Sequence, residues 1–250
     1  MRTSMLTRQQ IQFIRTLHTP RGIHKQGVFL AEGEKLVQTL LENGSTPEML
    51  IATSEVAPTS MHGHSPVITS PDTMARLSTH QSPPRLLGVF PIPTPEPLPL
   101  AENTTLVLEA VQDPGNLGTI IRTADWFGIR QIICSPDCAL AYAPKAIHAT
   151  MGAIASVRVV YTPLIPLLRN TTPPPSAVAT TLDGNPIGES HLTQPCVILL
   201  GNEGHGLSDE LLTCATHRVT IPHCGTPAVE SLNVASVAAI MCAKLAQTLG

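Results

Sequence analysis

Three stretches of this 250-residue chain gather the side chains able to do chemistry. The first, Asp113 to Ala124 (DPGNLGTIIRTA), opens with turn chemistry and continues as a helix starting near Asn116, a residue able to cap it. Arg122 is a lone cation in that helix, and pairing with Asp125 or Asp113 is its plain structural role. The second, Leu200 to Leu211 (LGNEGHGLSDEL), follows an apolar run. Its three glycines let backbone approach a ligand closely at the carboxyl end of a strand. Gly204-x-Gly206-x-x-Asp209 falls one residue short of a dinucleotide fingerprint, and no acid stands at the ribose spacing, so oxidoreductase chemistry has little support. The third joins Ile221-Pro222-His223-Cys224-Gly225 to ESLNVASVA, where Ser231 and Asn233 stand in position to cap a helix. Cys224 beside His223 has no acid-base partner placed by sequence, which argues against a thiol nucleophile.

The elements around these stretches predict an α/β fold. LVLEAV, QIICSPD, VRVVY, AVATTLDG, CVILLGNEG and RVTIPH read as strands. They alternate with helices at NLGTIIRTADWFGI, PKAIHATMGAI, SDELLTCA and SLNVASVAAIMCAKLAQTLG, which implies a mostly parallel sheet. Upstream, GVFLAEGEKLVQTLLENG passes from strand to helix, and MLIATSE, PVITS and RLLGVFPI read as further strands. The alternate prolines of PIPTPEPLP forbid a helix and predict an extended connection. The expected division is a small α/β domain over 1–90, a Pro-rich linker over 91–103 and a larger domain over 104–250. A second proline cluster, Thr172 to Ser176, predicts a surface loop.

Composition narrows the class. With 42% hydrophobic and 13% charged residues the chain is expected to be soluble and globular, with no membrane span. The N-terminus lacks the apolar core of a secretory signal, so the cytoplasm is the expected location. Six cysteines without CxxC pairing predict packed, reduced thiols, with neither a zinc site nor any other metal. The net charge of −3 argues against nucleic acid, but Arg2, Arg8, Arg15, Arg21 and Lys25 precede the first acid, Glu32. Such a local basic patch is what a phosphate backbone meets, or else a solvated helix face.

Taken in order, DPGNLGTIIRTADWFG, LLGNEGHGLSDE and IPHCG with ESLNVASVAA resemble the three signature motifs of the SpoU (TrmH-type) RNA 2′-O-ribose methyltransferases, in the SPOUT superfamily. The resemblance runs from about Leu106 to the C-terminus and takes in PKAIHATMGA and ATTLDG. RTLHTPRGIHKQGVFLAEGEKLV resembles the small L30e-like RNA-binding module that often precedes this catalytic domain.

The resemblance implies a trefoil knot, S-adenosylmethionine as cofactor, a homodimer, and an RNA substrate, ribosomal rather than transfer RNA. It assigns Arg122, Asn116, Glu203, Ser231 and Asn233 to catalysis, and Thr180, Leu182, Gly201, Ile221, Pro222 and Leu232 to the cofactor. Arg15, Arg21 and Lys25 are the expected RNA contacts. Two features depart from the family pattern: the longer TPAVE stretch before Ser231, and His148 where an arginine is expected. The rival reading is a non-catalytic RNA-binding relative, but a degenerate site loses some of its residues and this chain keeps all five.

Overall fold

Capping side chains set the first elements. Thr7 and Gln10 form a reciprocal capping box on α1 (Arg8–Thr16), and Thr19 caps α2 (Pro20–Gln26), whose first position suits Pro20. The structure, a computed structural model, describes residues 6–56, 61–225 and 228–247. Arg2, and Thr226 and Pro227 of the TPAVE stretch, lie outside the described residues. β1 (Val28–Glu32) leads into α3 (Glu34–Glu42), which buries Leu36, Val37, Leu40 and Leu41 as their helical spacing predicts. β2 (Met49–Thr53), β3 (Val67–Thr69), α4 (Pro71–Leu77) and β4 (Leu86–Pro91) follow. The sheet order is β1-β4-β2-β3, with β4 antiparallel to both neighbours and β2 parallel to β3. Ile14, Leu17, Leu30, Ile51 and Leu87 pack in one core beneath it.

The second half alternates strand and helix. β5 (Thr105–Leu108), α5 (Pro114–Trp126), β6 (Gln131–Cys134), α6 (Pro144–Thr150), β7 (Arg158–Tyr161) and α7 (Leu164–Asn170) come first. β8 (Ala177–Pro186), β9 (Val197–Leu200), α8 (Asp209–Leu212), β10 (His217–Thr220) and α9 (Val234–Ala246) complete the chain. Six strands pair in the order β10-β8-β9-β5-β6-β7, every pairing parallel. Every residue of β5, β6 and β9 is buried, as befits strands covered on both faces. Val107, Ile133, Val197 and Leu199 belong to the core, each buried aliphatic contributing roughly 1.5–3 kcal/mol.

The chain divides into two compact units, Met1–Pro93 with Leu140–Ala155 and Thr94–Ala139 with Ser156–Gly250. In the first, α6 packs on β1, and the Tyr142 ring lies 5.2 Å from Phe29. In the second, the proline-rich stretch is free of helix but anchored: Leu100 is buried, and Leu98 is held by Gln131. The Gln131 side chain, fully buried, accepts from Leu98 N–H at 2.6 Å and donates to Leu98 C=O at 3.2 Å and Thr105 Oγ1 at 3.1 Å.

Replacing Gln131 by the similarly sized Leu removes three hydrogen bonds, two of them to the half-buried Leu98 main chain, while Thr105 Oγ1 keeps its bond to Asn103 C=O, so Gln131→Leu should lose about 2 kcal/mol in urea unfolding. A loss under about 1 kcal/mol would show that these bonds contribute little.

Candidate active site

Because the strands are parallel, their carboxyl ends share one edge of the sheet. The chain leaves β5 toward β6 on one side, whereas its other neighbour β9 leads away toward β10, and such a switch point opens a crevice above the strands. All three chemistry-bearing stretches emerge there, after β5, β9 and β10.

The first stretch is capped differently from the expectation. Asp113, not Asn116, is the N-cap of α5: its Oδ1 accepts from Asn116 N–H at 2.8 Å, and Pro114 fills the first helical position. The Asn116 side chain is thereby left for tertiary contacts. Its Nδ2 donates to Glu203 Oε1 at 2.8 Å, and its Oδ1 accepts from Asn233 Nδ2 at 3.0 Å. Asn233 also caps α9, accepting from Ala235 N–H at 2.9 Å. One carboxamide therefore joins the N-termini of two helices to the acid of the β9 loop. Ser231 caps nothing; it is exposed, with no hydrogen bond among the described residues.

α5 buries Leu117, Ile120, Ile121 and Ala124 and turns Thr119, Arg122 and Trp126 outward. The expected pairing of Arg122 with Asp125 or Asp113 does not form. Asp125 is taken by Arg130 at 3.2 Å and by Ser156 at 2.5 Å, and Arg122 has no ion pair among the described residues. An exposed guanidinium without an internal anion is available to an external one.

The β9 loop is built on close backbone contact. Asn202 and Gly206 exchange backbone hydrogen bonds at 3.0 and 2.9 Å, with Gly206 at φ 70°. Asn202 Oδ1 accepts from the N–H groups of Gly204 and His205, and its Nδ2 donates to Ala110 C=O. A Cβ on Gly201 would stand 2.3 Å from the Gly206 carbonyl carbon, so only glycine fits. Glu109, at the end of β5, accepts from Ser208 N–H at 2.7 Å and Ser208 Oγ at 2.6 Å. Sequence reasoning missed Asn202 and Glu109 as site builders. The Asn-x-Gly pattern was a readable turn signal for the first, while a single acid after an apolar strand signals nothing by itself.

Between β8 and β10 the register jumps. Arg218 pairs with Ala179 and Val219 with Asn185, which sets residues 180–184 outside the ladder. The Thr180 hydroxyl donates to Leu199 C=O at 3.0 Å, and the Thr220 hydroxyl to Leu182 C=O at 3.2 Å, so this excursion adjoins the Ile221 segment. Thr181 Oγ1 is buried without a partner, and Leu182 is 73% exposed. Leu232, beside Asn233, is 47% exposed, and Pro222 is exposed too. Apolar side chains left in solvent beside main chain and an unsatisfied hydroxyl suit a ligand with an apolar ring and a polar edge. A cavity of about 240 Å³ among Phe29, Phe90 and Tyr142 lies in the first unit and contains none of these residues. Among the described residues no cluster of His, Cys, Asp or Glu is arranged to hold a metal.

Gly201→Ala should therefore lose about 1–3 kcal/mol of unfolding free energy from overpacking against Gly206. Gly204→Ala, whose Cβ would meet only Asn202 Oδ1 at 3.4 Å, should stay near wild type. Equal losses in both would contradict the close approach.

The chain is similar to known proteins. Residues 103–243 match the model of the SpoU rRNA Methylase family, and residues 8–88 match the MRM3-like substrate binding domain. The chain is 31% identical to the 23S rRNA (guanosine(2553)-2′-O)-methyltransferase RlmP of Bacillus subtilis, over 93% of this chain and 94% of that one. Among solved structures it resembles a TrmH-family protein from Porphyromonas gingivalis, described as an RNA methyltransferase, with TM-score 0.85 and 36% identity. That match covers 96% and 98% of the two chains. It also resembles an rRNA methyltransferase of Sinorhizobium meliloti solved with AdoMet bound, with TM-score 0.87 and 27% identity over 99% and 97%. The three stretches at the carboxyl edge of the sheet all lie within the matched residues 103–243, and the chain belongs to the SpoU rRNA methylase family.

Proposed function

We propose that this protein methylates a ribose 2′-hydroxyl in ribosomal RNA, with S-adenosylmethionine as the methyl donor. The observation that carries this reading is the Asn116 junction, which joins Glu203 and Asn233 on the same helix as Arg122, a cation with no ion pair among the described residues. RlmP is named for this reaction on 23S rRNA, and the Sinorhizobium relative holds the donor, which supports ribosomal over transfer RNA. The bound cofactor supplies an electrophilic methyl group. Backbone of Thr180, Leu182, Gly201, Ile221 and Leu232 would hold it, with Pro222 alongside and Thr181 Oγ1 offering an unsatisfied hydrogen bond.

The chain's own residues then align and charge-balance the attack. Arg122 binds the phosphate beside the target ribose and stabilises the alkoxide developing at its 2′-oxygen; always protonated, it is no base. Glu203, oriented by Asn116, receives the hydroxyl proton. The N-termini of α5 and α9 bring positive partial charge to the same place. Ser231 and Asn233 border the reacting groups, with Asn233 fixed by its cap. Alignment alone removes up to about 7–11 kcal/mol of such a barrier.

The domain roles belong to this reading as well: substrate binding over 1–90, a linker over 91–103, and methyl transfer over 104–250, knotted as a trefoil. Exposed Arg15, Arg21 and Lys25 meet RNA phosphates, and none of them is ion-paired among the described residues. His148 replaces one RNA-contacting cation. The active form is a cytoplasmic homodimer. Supporting the dimer, α9 has Ser236 and Lys244 as its polar residues, and the apolar Val237, Ile240 and Ala243 stay partly exposed in one chain. A monomer in sedimentation equilibrium would contradict it. No helix among the described residues is long and apolar enough to cross a membrane.

Calorimetric titration with S-adenosylmethionine and its demethylated product should show both binding. Arg122→Ala should then keep cofactor affinity within about twofold while turnover falls roughly 100-fold or more. Arg122→Lys, which keeps the charge but not the planar fork, should fall between. Near wild-type turnover in Arg122→Ala overturns the assignment, and failure of a folded dimer to bind either ligand favours the non-catalytic reading.

A further inference from the structure

Cys134 ends β6, and Cys138 follows across a turn closed by Cys138 N–H donating to Ser135 C=O at 3.1 Å. The Cys138 sulfur reaches the carbonyl of Leu108, the residue paired with Cys134 between β5 and β6, which brings the two thiols to the same strand end. Around the Cys138 sulfur three groups converge: it accepts from Val111 N–H at 3.3 Å, donates to Leu108 C=O at 3.3 Å, and lies 3.4 Å from Ser135 Oγ. Cys134 is buried, whereas Cys138 is partly exposed. This is a sulfur that accepts a backbone hydrogen bond and lies against a hydroxyl, next to a second sulfur that solvent does not reach.

We propose that Cys138 is a peroxide-reactive thiol and that Cys134 resolves it, so that the pair forms an intramolecular disulfide. In the first step the Cys138 thiolate attacks one oxygen of hydrogen peroxide, forming an S–O bond as the O–O bond breaks. Hydroxide leaves and takes a proton to become water. Cys134 then attacks the sulfenic sulfur, forming the S–S bond and expelling a second water that carries the Cys134 proton. Two thiols are oxidised, and one peroxide is reduced to two waters.

The environment favours this division of labour. The neighbouring Cys134 thiol holds the Cys138 thiol down at about 7, with Ser135 and Val111 N–H adding to it, against burial and the Asp137 charge. The same interaction and burial push Cys134 well up, so Cys138 is the partner ionised near neutrality. By contrast, burial pushes Cys196 up to about 11 and Cys242 to about 12. Oxidation also has a structural consequence. Cys138 and its neighbours clamp residues 108–111, since Ser135 Oγ accepts from Ala110 N–H and Ala139 N–H donates to Val111 C=O. That segment contains Glu109 and leads directly to Asp113 and Asn116, so the disulfide frees Val111 N–H at the root of the site.

Both cysteines lie in one tryptic peptide, Gln131 to Lys145. The full-length reduced protein, treated with an equimolar amount of hydrogen peroxide, should lose two hydrogens in that peptide and regain them with a thiol reductant. Cys134→Ser should instead gain one oxygen there, trapped by a sulfenic-acid reagent, and Cys138→Ser should leave Cys134 reduced. Alkylation of Cys138 by iodoacetamide should rise with pH through a midpoint near 7, against about 8.5 for an ordinary thiol. Exchange of the Val111 amide with deuterium should quicken at least about tenfold on oxidation. Oxidation at Cys224 or Cys214 with this peptide still reduced, or a midpoint near 8.5, would overturn the proposal. Unchanged Val111 exchange in the disulfide form would overturn its link to the site. None of these readouts uses methyl transfer, so they stand or fall apart from the function proposed above.

Discussion

The Asn116 carboxamide is the interaction on which the site depends. It spans 87 residues to Glu203 and 117 to Asn233, using its donor end for one and its acceptor end for the other. Aspartate has no donor for Glu203 and leucine has neither end, so the side chain type follows from the task. Each bond contributes about 1 kcal/mol net, and the larger effect is on placement. Without the amide, Glu203 loses the group that orients it, and the start of α9 loses its tie to α5. Asn116 is free for this work because Asp113 has already taken the capping role.

That junction in turn requires the parallel sheet. β5 and β9 lie side by side in register, Leu108 opposite Leu200, so the loops that follow them begin level with one another. Fully buried aliphatic strands fix this register, and the loops then lock by their own polar contacts: Glu109 to Ser208, and Asn202 to Ala110. The jump between β8 and β10 adds a third wall, with Gly184 allowing a close approach; a Cβ there would come within 2.6 Å of Val219 N. Rigid strands and tightly closed loops form a platform on which Arg122 is exposed and, among the described residues, without an ion pair. Such preorganisation is what an aligned displacement at a ribose oxygen requires.

Much of this was legible in the residues. Every strand of both sheets falls on a run that periodicity and composition mark, because strands are short, rich in apolar residues and bounded by turns. The three motifs were legible as well, since turn, glycine and cap chemistry are local. What failed was what depends on partners distant in sequence. Asn116 looked like a cap because its sequence neighbours suit one, and only the fold shows Asp113 in that place. Arg122 looked like half of an ion pair, but Arg130 and Ser156 occupy Asp125. α7 went unseen, its seven residues interrupted by Pro166. Nothing in the segment after Ala139 announced that residues 140–155 pack with the first unit, because compactness is not a local property.

The account rests on chemistry at a ribose oxygen, and the product tests it most directly. Ribosomal RNA from cells lacking this protein would be incubated with the purified enzyme and S-adenosylmethionine carrying a labelled methyl group. The RNA would then be digested completely to nucleosides. The account predicts that the label appears in a single 2′-O-methylnucleoside. Label on a base, or none in ribosomal RNA while transfer RNA is methylated, would contradict it.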